Sequence, residues 1–118
     1  MKIENVEVRD IAKNFGTPVY TYSLEVLRRS ISEIKQLAPV TRYAMKANSN
    51  ILILKEMLEN GVKIDAVSVF EVQRALRAGF QTQDICFTSD VFFNDNDVQF
   101  CLDNNIYCNC GTLGMVEE

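Results

Sequence analysis

The chain has 118 residues, 47 % hydrophobic and 24 % charged. That is the balance of one small globular domain with a modest core, without the composition of a disordered segment or an apolar run of membrane-spanning length. The net charge of −4, with Lys and Arg scattered over several segments and not gathered in a stripe, argues against nucleic acid and anionic membrane as partners.

Met1-Lys2-Ile3-Glu4 carries charges where a signal peptide needs an apolar core, so a cytoplasmic protein is expected. Ile3, Val6, Val8 and Ile11 are loosely spaced, and Asp10 to Phe15 reads as a short helical turn stopped by Gly16. Thr17-Pro18 leads into Val19-Tyr20-Thr21-Tyr22, expected to be a short strand. Ser23 is a good cap for a helix with Leu24, Leu27, Ile31 and Ile34 on one face and Glu25, Arg28, Arg29, Glu33 and Lys35 on the other, closed by Pro39.

A strand is expected over Val40 to Lys46. Asn50 or Ser49 then caps a helix with an apolar face of Ile51, Leu54, Met57 and Leu58, stopped at Asn60-Gly61. Val62 to Val67 is the next strand, and Ser68-Val69-Phe70-Glu71 has the form of a capping box, so a helix should run to Ala78 and end at Gly79. Ile85 to Thr88 is another strand; Asn94 heads a helix with Asp95 and Asp97 in its first turn, where acids favour the helix dipole. Ile106 to Asn109 is a strand again, and Thr112 can cap one more helix.

Strand starts at Val40, Val62, Ile85 and Ile106 recur roughly every 22 residues with one helix in each gap, which is a βα repeat with parallel strands and right-handed crossovers. Such a repeat closes as an open doubly wound sheet or as an eight-unit barrel. No Gly-x-Gly-x-x-Gly follows any strand, so the expectation is an α/β chain forming the N-terminal part of a (β/α)8 TIM-type barrel. Residues 1–39 would be a strand and helix leading in, and 40–118 the first, incomplete half of the barrel. Its open sheet edges imply a piece of something longer, or else association or poor solubility.

The four cysteines, Cys86, Cys101, Cys108 and Cys110, are expected to be buried free thiols. Cys108-Asn109-Cys110 has neither zinc-knuckle nor thioredoxin-type spacing, and without histidine the chain holds no Ser-His or Cys-His nucleophile pair. Lys46 stands where a β-forming run gives way to Asn48-Ser49-Asn50. A lysine at a strand end is either a solvated charge or, leaning over the end of a parallel sheet where ligands collect, an amine that can attack a carbonyl and form a Schiff base.

Three strings then carry a resemblance: Phe15-Gly16-Thr17-Pro18-Val19-Tyr20; Val40-Thr41-Arg42-Tyr43-Ala44-Met45-Lys46-Ala47-Asn48; and Ile64-Asp65-Ala66-Val67-Ser68 with Glu71. From about Val6 to Glu118 the chain resembles the N-terminal part of bacterial diaminopimelate decarboxylases, in the alanine-racemase-like, fold-type III class of pyridoxal-phosphate enzymes. The second string in register with the first is the stronger evidence for the class; the substrate rests on general similarity.

The resemblance implies pyridoxal 5'-phosphate as cofactor, a small amino acid as substrate, a homodimer in the full-length form, and decarboxylation of meso-diaminopimelate to lysine. It implies that Lys46 carries the cofactor as a Schiff base, that Asp65 is an acid beside the cofactor, and that Ala44 is a small residue letting the ring lie close to the barrel floor. For Asp65 and Ala44 the alternatives are an ordinary strand-end acid and a core alanine. Val69-Phe70 stands where the family usually has two glycines. The family's phosphate loop, the acid facing the pyridine nitrogen, the ring-stacking histidine and the cross-dimer cysteine belong to later segments, so the isolated chain is expected to be inactive. The alternatives are a decarboxylase for ornithine, arginine or carboxynorspermidine, or a non-catalytic cofactor-binding or half-barrel protein.

Overall fold

The computed structural model describes residues 1–88 and 94–117; Glu118, where the resemblance ends, lies outside them. The chain divides into two compact units, Met1–Leu37 and Ala38–Glu118.

The first unit opens with a two-stranded antiparallel hairpin of β1 (Lys2–Ile3) and β2 (Val6–Glu7), which the loose spacing of its apolar residues had not suggested. Helix α1 follows over Val8–Phe15, two residues earlier than expected, and stops at Gly16, whose φ of 80° suits a residue without a Cβ. Helix α2 spans Leu24–Lys35, and the Ser23 side chain accepts the Val26 N–H at its start. Glu4, in the hairpin turn, takes the Glu25 N–H at 2.9 Å and the Ser23 hydroxyl at 2.7 Å. These bonds, the backbone one foremost, hold its carboxyl below the ordinary value. Val19–Tyr22 does not form the expected strand. Its β-formers suit a half-buried pleated surface, but Tyr20 is 90 % exposed and the segment joins no ladder among the described residues.

The second unit is a run of βα steps: β3 (Arg42–Ala44), α3 (Ile51–Glu59), β4 (Lys63–Ala66), α4 (Val69–Ala78), β5 (Ile85–Thr88), α5 (Asp95–Asp103), β6 (Tyr107–Asn109) and the short α6 (Gly114–Glu117). All strand pairs are parallel and the order is β3-β4-β5-β6. Strand order follows chain order with no reversal, as in the opening of a barrel and unlike the switch point of a doubly wound sheet. β3 is shorter than expected: after Ala44 the backbone tightens into a 3₁₀ turn, Met45–Ala47, and Lys46 lies in that turn.

The two faces of the sheet differ. Ile64, Ala66, Ile85 and Phe87 are almost fully buried, and α4 packs against β4 and β5, with α3 beside it. Val72, Ala75 and Ala78 of α4 and Ile53, Leu54 and Met57 of α3 complete this core. The α3 face is shifted from the one expected, since Ile53 is inside and Ile51 outside. The unbroken run Ile51-Leu52-Ile53-Leu54 gives periodicity no phase to read. On the other face, Ala44, Asp65, Cys86 and Tyr107 stand in register, with Thr88 opposite Asn109 one step further on, and all are half-buried or exposed.

Local chemistry sets the helix ends. The Asn50 side chain accepts the Leu52 N–H and Asn94 accepts that of Asp97. Ser68 accepts the Glu71 N–H at 3.2 Å, while Glu71 reaches back to the Val67 N–H at 2.8 Å, one residue before the usual capping-box partner. Gly79 ends α4 at φ 107°. At the opposite, amino end of the sheet, Lys63 pairs with Asp84 at 3.0 Å, and Arg42 donates to the carbonyls of Ile64 and Asp84 at 3.2 and 3.1 Å.

Candidate functional site

The carboxyl ends of the strands bring the predicted residues to one rim. Met45, at the start of the 3₁₀ turn, is fully buried, while Ala44 and Lys46 on either side of it are exposed. The 3₁₀ turn carrying Lys46 lies against β4, the strand bearing Asp65. The hydroxyl of Tyr43 donates to the Asn48 carbonyl at 3.1 Å and closes this turn; the Asn48 side chain takes the Asn50 N–H at 3.0 Å. Arg74 of α4 donates to Ser49 Oγ at 3.0 Å, tying the same loop to the helix layer. The polar run after Lys46 is thus a braced loop.

Ala44 is the ladder partner of Asp65 on the open face of the sheet, so a methyl group beside a half-buried carboxylate leaves that part of the floor low. Asp65 takes the hydroxyl of Thr88 on its Oδ1 at 2.6 Å. Thr88 was not singled out from the sequence, because the contact crosses 23 positions and follows from the strand register. Phe70 is 82 % exposed; it lines a cleft with Ser49, Arg74 and Arg77, whereas Ala44, Lys46 and Asp65 do not line that cleft.

The cysteines are all free, but the expectation of buried thiols holds only for Cys101; Cys86 is half-buried and Cys108 and Cys110 are exposed. Cys108 lies in β6, whose three residues are all exposed, and Cys110 follows directly after that strand. Burial, with a smaller contribution from the hydrogen bond to Cys108, pushes the Cys101 thiol up to about 12, and burial also raises that of Cys108. Among the described residues no cluster of three or more His, Cys, Asp or Glu side chains could hold a metal ion.

An amine, a carboxylate and a hydroxyl at the carboxyl end of consecutive parallel βα units define a barrel-type α/β protein with a strand-end lysine. The chain belongs to the pyridoxal-dependent decarboxylases, matching their pyridoxal binding domain over residues 24–118. It is 42 % identical over 108 residues to the diaminopimelate decarboxylase of Escherichia coli, a match covering 88 % of this chain and 25 % of the relative. A crystal structure of diaminopimelate decarboxylase superposes with a TM-score of 0.87 at 38 % identity, covering 98 % of this chain and 27 % of the other. The Helicobacter pylori diaminopimelate decarboxylase, complexed with L-lysine, superposes with a TM-score of 0.84 at 27 % identity, covering 94 % and 29 %. The chain spans about a quarter of the length of the E. coli relative.

The residues at the rim fit a pyridoxal group. The exposed Lys46 offers an amine able to condense with an aldehyde, exposed Ala44 leaves room beside it, and Asp65 supplies a carboxylate on the same sheet face as Ala44.

Proposed function

We propose that the protein is the opening part of a pyridoxal 5'-phosphate-dependent decarboxylase acting on meso-diaminopimelate to release carbon dioxide and lysine. Residues 1–39 lead into the barrel and 40–118 form its first half. The observation that carries this reading is the position of Lys46, exposed in a braced turn at the carboxyl end of β3, where a parallel barrel presents its ligand-binding groups.

Lys46 Nζ would be the amine that holds the cofactor by its aldehyde carbon and that recaptures it between turnovers. When bound, the cofactor supplies a ring that accepts the electron pair freed by loss of carbon dioxide. Ala44, small and exposed, would leave room for the cofactor beside Lys46. Asp65 would place a carboxylate at the same rim, on the sheet face that carries Ala44. We further propose that the protein works in the cytoplasm and, in its full-length form, as a homodimer.

A chimera in which this chain replaces the matching segment of the E. coli relative, introduced into a strain lacking that enzyme, tests the proposal. Growth without lysine, abolished by Lys46→Ala, is expected. A folded chimera without decarboxylase activity would contradict the proposal.

A further inference from the structure

The side chain of Asp65 has one hydrogen-bond partner among the described residues, and that partner is Thr88. In the ladder Asp65 is paired with Cys86, so Thr88, two residues further along β5, lies on the same open face and reaches the carboxylate diagonally. The hydroxyl donates to Oδ1 at 2.6 Å, the short end of the O–H···O range. Oδ2 has no partner among the described residues.

An aspartate on a strand can take several staggered χ1 positions, and a half-exposed one has little packing to select among them. The bond to Thr88 makes that selection. Threonine suits this position because its β-branched side chain is stiff at χ1, so the hydroxyl is aimed by the backbone of β5. One oxygen of Asp65 is thereby fixed and the other is left available on the sheet face that also carries Ala44.

We infer that Thr88 is a positioning residue for the cofactor end of the sheet: its hydroxyl holds the Asp65 carboxylate in the orientation that supports the Schiff base on Lys46. The inference rests on the reading of Lys46 as the cofactor lysine. Thr88 touches neither cofactor nor substrate in this scheme and acts through Asp65 alone. Its effect must therefore vanish when Asp65 can no longer play its part.

The experiment is a double-mutant cycle on the full chain, titrated with pyridoxal 5'-phosphate and read as half-saturation of the Schiff-base absorbance, with borohydride trapping and peptide mapping to place the adduct. Thr88→Val, which keeps the shape and loses the hydroxyl, should raise the half-saturation concentration about five-fold, whereas Thr88→Ser should stay within about two-fold of the parent. In an Asp65→Asn background Thr88→Val should add less than about two-fold, the signature of a residue acting through its partner. Thr88→Ala repeats the measurement if the valine variant does not fold. An unchanged Thr88→Val, a Thr88→Ser as weak as Thr88→Val, or an equal effect in both backgrounds overturns the inference while leaving the cofactor reading intact. Absence of any adduct on Lys46 in the parent chain overturns both.

Discussion

Glu71→Ala removes the carboxylate that receives the Val67 N–H at 2.8 Å, directly after the Asp65–Ala66 end of β4. A backbone N–H bonded to a charged acceptor is worth about 1.5–3 kcal/mol, and the half-buried position puts this one at about 1.5. Loss of a negative charge from the first turn of α4 adds about 0.5 kcal/mol through the helix dipole. The sum, about 2 kcal/mol, corresponds to a fall in melting temperature of about 10 °C for a domain of this size. Glu71→Gln keeps an acceptor and should cost less than half as much, about 0.5–1 kcal/mol. Ser68→Ala should cost about 1 kcal/mol. The Ser68→Ala, Glu71→Ala pair should cost less than the two added, because both bonds hold one turn. Urea denaturation followed by far-UV circular dichroism measures each value. A Glu71→Ala variant within about 0.3 kcal/mol of the parent, or a glutamine variant as weak as alanine, refutes the assignment of this bond as the clamp on the strand end.

Gly79→Ala should destabilise by about 1–2 kcal/mol, chiefly through the left-handed backbone at φ 107°, with Leu58 Cδ2 3.2 Å from the new Cβ able to swing aside. Gly111→Ala, which meets nothing within 4 Å, should change stability by less than about 0.5 kcal/mol in the same denaturation assay, and equal costs would overturn this ordering. Cys101 should be the last thiol alkylated by iodoacetamide and exposed Cys110 among the first, as peptide mapping over time will record. The folded Cys101 thiol is raised from 9.0 to about 12, so the unfolded chain loses this proton first and stability should fall as pH rises from 9.0 toward 12. Cys101→Ala should flatten that slope, and an unchanged slope would assign it to other groups.

The parts of this structure that were legible in the sequence are those set by short-range chemistry. Ser23, Asn50, Ser68 and Asn94 each cap the helix expected of them, because an oxygen on a short side chain meets an amide two or three residues away. Strand β5 falls on Ile85–Thr88 as expected, since Gly79 and the polar turn before it leave little choice. Lys46 could be placed at the end of a strand, but the turn around it could not be foreseen. Whether β3 continues to Lys46 or tightens after Ala44 depends on burial of Met45 and on the Tyr43–Asn48 bond, neither of which is encoded in local propensity. Thr88 was invisible for the same reason on a longer scale. Val19–Tyr22 erred in the opposite direction, for β-forming residues specify a strand only where another strand is available to pair with it.

Whether Lys46 is the amine that holds the cofactor can be read by incubating the chain with pyridoxal 5'-phosphate, reducing with borohydride and mass-mapping the peptides. A single phosphopyridoxyl group is expected, on Lys46, lost in Lys46→Ala and retained in Lys63→Ala. Labelling spread over the surface lysines with no preference for Lys46 would remove the cofactor role from this residue and the decarboxylase reading with it.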